Sequence, residues 1–163
     1  MLYAISQGSP MTCTVYQNPE STHTLKIGKT SLKRDLRGFS LACWQERFLY
    51  ITGGFSKGES ESAKVHEYDI FNRIKPHELP AMNEARTSHS SCIEGQDYLA
   101  VFCGFSFRNG PLNSIEVIDL QAIESSRGLS VTWTKLGVTA HTPCWSPMFF
   151  IRLQCPNNTD DFG

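Results

Sequence analysis

The chain repeats itself at a spacing of 50 residues, and no other feature limits its fold as strongly. Gly54-Phe55-Ser56 returns as Gly104-Phe105-Ser106. Leu49 returns as Leu99, Ser40 as Ser90 and Asp69 as Asp119, while Phe48 is matched by Tyr98, Ile51 by Val101 and Val65 by Ile115. A unit that recurs at fixed spacing cannot bury its apolar face alone and stacks on its neighbours. A period near 50 points to the four-stranded blades of a propeller.

Each copy divides into four expected strands. The first spans 38–43 and 88–93, and the second spans 48–52 and 98–103. Phe48-Leu49-Tyr50-Ile51-Thr52 is short, aromatic and β-branched and ends at glycine, which fits a strand buried on both faces. The third spans 64–69 and 114–119, and the fourth 73–79 and 131–136. Polar loops at 56–63 and 106–113 join the second strand to the third, with Gly58 and Asn109-Gly110-Pro111 as turn chemistry. The second copy has extra polar residues at 121–128, in a connection where insertions cost little. One local signal opposes a strand here. Asn113 stands three residues before Glu116, the spacing of a helix cap, and Leu120 and Ile123 continue a helical period. The matching register in the first copy has no such continuation. A strand is therefore expected over 114–119, with a short helix confined to 120–125.

Residues 1–37 read as a worn third copy, with strands over 2–6, 12–16 and 23–27. Residues from 139 onward begin a further unit, with 148–151 as its first or second strand. The expected organisation is a degenerate blade at 1–37, blades at 38–83 and 84–137, and the start of another at 138–163.

Composition excludes several classes. Hydrophobic content of 40% with 19% charged residues belongs to a folded chain rather than a disordered one. A net charge of −1 argues against a general nucleic-acid binder. Lys26, Lys29, Lys33, Arg34 and Arg37 form a basic stretch, but no interleaved aromatics supply base stacking, so it reads as a solvated loop. No apolar run approaches the ~20 residues of a membrane span. The first residues hold no apolar signal segment, so the six cysteines read as reduced, small apolar side chains of a cytoplasmic protein.

Enzyme chemistry has one sharp candidate. Gly54-Phe55-Ser56-Lys57-Gly58 satisfies the nucleophile-elbow pattern, and Asp119 and His141 follow Ser56 in triad order. An elbow leads into a helix packed on the sheet, and residues 59–64 have no apolar face for one. The second copy keeps Gly-Phe-Ser but has Arg108 at the closing glycine, so a repeated structural turn is the simpler reading. Gly28-Lys29-Thr30 has His23 where a phosphate loop needs glycine. His23, His66, His77, His89 and His141 lie far apart, and no Cys-x-x-Cys pair exists, so no metal is expected.

Several motifs occur in order along the repeat. They are Gly53-Gly54 after an apolar strand, the aromatic-Asp step Tyr68-Asp69, the connection Leu79-Pro80-Ala81-Met82-Asn83-Glu84-Ala85-Arg86 followed by Ser88-His89, and Trp133 with Leu136. Over residues 38–136 the chain resembles the kelch repeat. It departs from that pattern at Cys103, which replaces the first glycine, at Ile118, which replaces the aromatic, and at Ile74, which stands where a tryptophan belongs. The resemblance implies an all-β, kelch-type β-propeller. Such rings close with typically 4 to 8 blades. The expectation is thus a partial propeller of about three four-stranded blades, its ring not closed. Further blades would come from missing sequence or another chain, because an open end exposes strand edges and an apolar face.

The resemblance also implies a protein–protein interaction module that binds a polypeptide through its loops, without catalysis or cofactor. A scaffold or ubiquitin-ligase substrate adaptor is a role that the family takes. Expected contact residues are Arg86, Arg108, Lys57 and Asn109. Arg86 carries an equal second reading, as a brace between neighbouring blades. Gly53, Gly54, Tyr68, Asp69, Gly104, Asp119 and Trp133 are structural motif positions. The alternative is a kelch-fold or Gly-x-Ser-x-Gly hydrolytic enzyme with Ser56 as nucleophile.

Overall fold

The computed structural model describes residues 2–6, 12–18, 21–26, 35–72, 76–126 and 131–138. They form antiparallel β-sheets and one short helix, an all-β architecture. Strands β1 (Leu2–Ser6), β2 (Thr12–Asn18) and β3 (Ser21–Lys26) make a three-stranded meander close to the strands expected in the N-terminal copy. The expected unit at 138–163 lies outside the described residues beyond Val138.

The first unit is a four-stranded meander of β4 (Ser40–Trp44), β5 (Phe48–Thr52), β6 (Val65–Asp69) and β7 (His77–Leu79). The second begins with β8 (Ser90–Glu94) and β9 (Tyr98–Phe102). A small hairpin follows, β10 (Phe105–Ser106) with β11 (Gly110–Pro111), in what the sequence reads as plain loop. Then come β12 (Ser114–Asp119), helix α1 (Leu120–Ser126) and β13 (Thr134–Val138). Strands β8, β9, β12 and β13 form the second meander, and none of these sheets closes on itself.

The repeat is carried by the backbone and not only by residue types. Phe48 pairs with Asp69 as Tyr98 pairs with Asp119. Gly53 donates to the Lys64 carbonyl at 2.9 Å, and Cys103 to that of Ser114 at 3.0 Å. Phe55 bridges Arg37 as Phe105 bridges Thr87. The aromatic-Asp step has a common task. Asp69 ends β6, and its Oδ1 accepts the amides of Phe71 and Asn72 at 3.0 and 3.1 Å. Asp119 ends β12, and its Oδ1 accepts the Ala122 amide at 2.8 Å. A carboxylate at this position closes the strand in either copy, and in the second it is the N-cap of α1. The helix therefore starts at Leu120, not at the Asn113–Glu116 pair, and Leu120 and Ile123 bury its apolar side.

The fourth strands need correction. They span His77–Leu79 and Thr134–Val138 rather than 73–79 and 131–136, with 73–75 outside the described residues. Trp133 lies before its strand, because its ring enters the core and its Nε1 donates to the Pro80 carbonyl at 2.8 Å.

The two meanders pack face to face. Leu99, Val101 and Ile118 of the second meet Tyr50, Val65 and Ala42 of the first in one core, which Leu79, Met82 and Trp133 extend. Trp44 reaches across to donate to the Gln96 carbonyl at 2.7 Å. Strands β4 and β8 run side by side, with Ser91 Oγ donating to Ser40 Oγ at 2.9 Å. Alternation along β5 sends Leu49 and Ile51 to the other face, against Leu36, Tyr68 and Ile70. The expected strand buried on both faces is therefore present.

Glycine is required where the units touch. A Cβ on Gly53, at φ +60°, would strike the Arg86 carbonyl and the His89 ring. One on Gly104, at φ +95°, would lie 2.7 Å from both the Thr87 carbonyl oxygen and His89 Cβ. Cys103, which replaces the first glycine, holds the same left-handed conformation at φ +54°.

Candidate functional site

Both loops after the second strands come together at one end of the paired units. Glu61 ties them, accepting from Ser106 Oγ at 2.7 Å and from the Phe107 amide at 3.0 Å. Burial opposes its ionisation, but these hydrogen bonds win and hold its carboxyl below the ordinary value. Ser106 Oγ in turn accepts the Arg108 and Asn109 amides at 3.3 and 3.2 Å, which fixes the tip of the β10–β11 hairpin. On the first loop, the Lys57 amide donates to Asp35 Oδ2 at 2.7 Å and depresses that carboxyl's pKa.

The tied loops display an aromatic trio. Phe107 meets Phe55 edge-on with ring centroids 5.3 Å apart, and Phe105 at 6.1 Å. Phe55 and Phe105 are repeat partners, and Phe107 leans on both while remaining 52% exposed. Lys57 and Arg108, both exposed, flank this ring pair along the chain, with exposed Asn109 beside Arg108. Three of the four expected contact residues are thus exposed residues of these two tied loops.

Arg86 does not, and its expected role as a surface contact is corrected. Its side chain is fully buried. Nη1 donates to the Cys103 carbonyl at 2.7 Å, and Nη2 to Ser114 Oγ at 3.2 Å and to Glu116 in a buried ion pair. Glu116 also accepts the amides of Asn83 and Glu84 at 2.6 and 3.1 Å. The connection at 80–86 is hydrogen-bonded to the first unit through Met82 to the Ala63 carbonyl, at 2.9 Å, and through Gly54 to the Arg86 carbonyl, also at 2.9 Å. Arg86 thus holds the second unit through its side chain and the first through its backbone, where Gly54 donates to its carbonyl at 2.9 Å. Glu116 and Glu61 were not among the expected site residues. The signal for Glu116 is an acid inside the apolar strand Ile115-Glu116-Val117-Ile118, which needs an internal partner.

His89, buried beside the junction, lies 2.7 Å by Nε2 from Thr52 Oγ1 of the first unit. Loss of solvent, and next the Arg86 charge, push its pKa down to about 3, so it is neutral at ordinary pH. The motif positions serve the frame. Tyr68 is buried in the outer-face core of the first unit, and Asp69 pairs with Arg47 at 2.6 Å.

The Gly54–Gly58 turn leads into a strand. Ser56 is buried, residues 57–59 turn, and the next element is β6 rather than a helix. Asp119 is engaged as the α1 cap, and His141 lies outside the described residues. Among the described residues, no three His, Cys, Asp or Glu side chains gather where a metal ion would fit. Among the described residues, Cys43, Cys92 and Cys103 are outside any disulfide, Cys103 buried and the other two half-buried. No described helix is long and apolar enough to cross a membrane.

Among the described residues, two of the cavities border the first unit. One, of about 310 Å³, lies between Trp44 and Phe48 of its sheet and Leu120 and Ile123 of α1. The other, of about 200 Å³, lies next to Phe55 and is lined by residues that include Leu36, Gly53, Ser56 and His66. No protein-family model matches the chain, and a search of curated proteins finds none similar to it.

Proposed function

We propose that this chain is a protein-recognition module of the kelch-propeller type, which binds a cytoplasmic polypeptide through the tied loops at 56–63 and 106–113. The observation that carries the reading is the exposed Phe107 on the Phe55–Phe105 pair, flanked by Lys57 and Arg108. Exposed aromatics beside arginine are the side chains that supply most binding energy at protein interfaces. Tethering through Glu61 reduces the ordering cost of binding, because both loops are already held.

The propeller part of the proposal has its own support. Two four-stranded meanders stack with first strands adjacent, at the repeat spacing. The Leu49–Ile51 face of the first unit is the counterpart of the Leu99–Val101 face that covers that unit from the other side. A preceding blade from residues 1–37 and a following one after Val138 would continue the stack, with further blades from elsewhere closing a ring.

The test is saturable binding of a purified partner captured by the full chain. Phe107→Ala and replacement of 106–113 by a plain linker should each weaken it about thirtyfold or more, the ~2 kcal/mol or more of a hot-spot aromatic. Phe71→Ala, exposed elsewhere, should not. Equal binding by all three variants would refute the assignment of the surface.

A further inference from the structure

The two units differ in one buried cluster whose backbone they otherwise repeat. In the second, the Arg86 guanidinium fills the space bounded by the Cys103 carbonyl, Ser114 and Glu116. The counterparts in the first unit, 50 residues earlier, are Leu36, Gly53, Lys64 and His66. Leu36 has no guanidinium, and here the structure has the cavity of about 200 Å³. That is several times the ~30 Å³ a water occupies in the liquid. Leu36, Gly53, Ser56, Lys64, His66 and Glu78 are among its lining residues.

The walls suit a planar cation. His66 is only 8% exposed, and its Nδ1 is buried with no hydrogen-bond partner. Burial lowers its pKa, so the ring is neutral and one nitrogen is an acceptor. The Gly53 carbonyl corresponds to the Cys103 carbonyl that accepts from Arg86. Glu59 and Glu78 add carboxylates, of which Glu78 is already paired with the Lys64 ammonium in the same wall at 3.0 Å.

We propose that this cavity is a guanidinium-binding site, which receives an arginine side chain of a partner polypeptide where the second unit uses its own Arg86. The guanidinium chemistry follows from the repeat. The polypeptide source rests on the recognition reading above, since the cavity adjoins Phe55 on the same loop surface. A planar fork with five donors matches acceptors spread around such a hole better than the compact ammonium of lysine.

NMR titration of the labelled full chain with Nα-acetyl-arginine methylamide tests the site, with the lysine compound and an arginine-bearing Gly-Ser peptide as further arms. The arginine compound should shift the His66 imidazole and the Gly53 and Gly54 amides saturably, and bind about tenfold more tightly than the lysine compound. Leu36→Arg should abolish those shifts by filling the cavity from within. His66→Glu should tighten binding about tenfold, since a charged acceptor makes the stronger hydrogen bond. Equal response to lysine would overturn the proposal, as would unchanged titration in a folded Leu36→Arg variant. If that variant fails to fold, a His66→Glu variant that binds no better overturns it alone. Tighter binding of the peptide than of the methylamide supports the polypeptide source, and equal binding refutes that source. A chain that binds arginine here yet binds its partner equally after Phe107→Ala retains the cavity and loses the loop surface.

Discussion

Arg86 and Glu116 show how one residue pair commits a repeat to its neighbour. Both side chains are fully buried, and Glu116 also accepts two amides of the connection that brings Arg86 in. Removing one partner of such a pair leaves an uncompensated charge, which costs about 3–5 kcal/mol. Arg86→Met is therefore expected to lower unfolding free energy in urea by that amount. Arg86→Leu with Glu116→His, the residues at these positions in the first unit, should recover much of the loss. A double variant as unstable as Arg86→Met would show that the pair cannot be exchanged between copies. His89 gives a pH signature. Its pKa falls from an ordinary 6.5 to about 3 in the fold. Between these values the unfolded chain binds a proton that the native one refuses. Its contribution is thus fully present above pH 6.5 and lost as pH falls toward 3, by up to ~1.4 kcal/mol per unit. His66 acts in the same direction, so the measurement is the difference from His89→Gln. That variant should show a shallower loss of stability on acidification, and an identical slope would contradict the assignment.

At the scale of elements, the repeated strand ends do most of the organising. Asp119→Ala removes the N-cap of α1 and should cost about 1 kcal/mol, read as a lower urea midpoint. Gly53→Ala, which forces a side chain into a left-handed residue against the Arg86 carbonyl, should cost more than that cap, about 1–3 kcal/mol from the strain alone. The strands were legible because apolar alternation and turn residues recur together. Ser40, Phe48 and Val65 begin strands at the spacing that Ser90, Tyr98 and Ser114 repeat within a residue. The fourth strands were less legible. Trp133 carries the apolar signal of its segment, but its ring belongs to the junction core, so the paired strand begins one residue later. The loop site was half legible. Lys57, Arg108 and Asn109 are visible as polar loop residues, whereas Phe107 gains its meaning only from lying against two phenylalanines of different copies. Arg86 misled because charge in a connection reads as surface. Its burial depends on Glu116, distant in sequence and adjacent only once β12 pairs with β9.

At the scale of the whole molecule, stability and recognition share one junction. The core between meanders, the connection at 80–86 and the tied loops all span the same pair of units. Trp133 fills that core and donates to Pro80, so Trp133→Ala should cost about 3–5 kcal/mol and unfold both meanders together. Independent melting of the two would mean that they are separate modules. The most direct test of the stacking itself lies where β4 meets β8. Ser40 and Ser91 have hydroxyl oxygens 2.9 Å apart although 51 positions separate them in the chain. In a Ser40→Cys, Ser91→Cys double variant, mild oxidation followed by peptide mapping should recover a disulfide joining those two positions in the folded protein. Recovery of both thiols free, with the protein still folded, would contradict side-by-side stacking of the two copies.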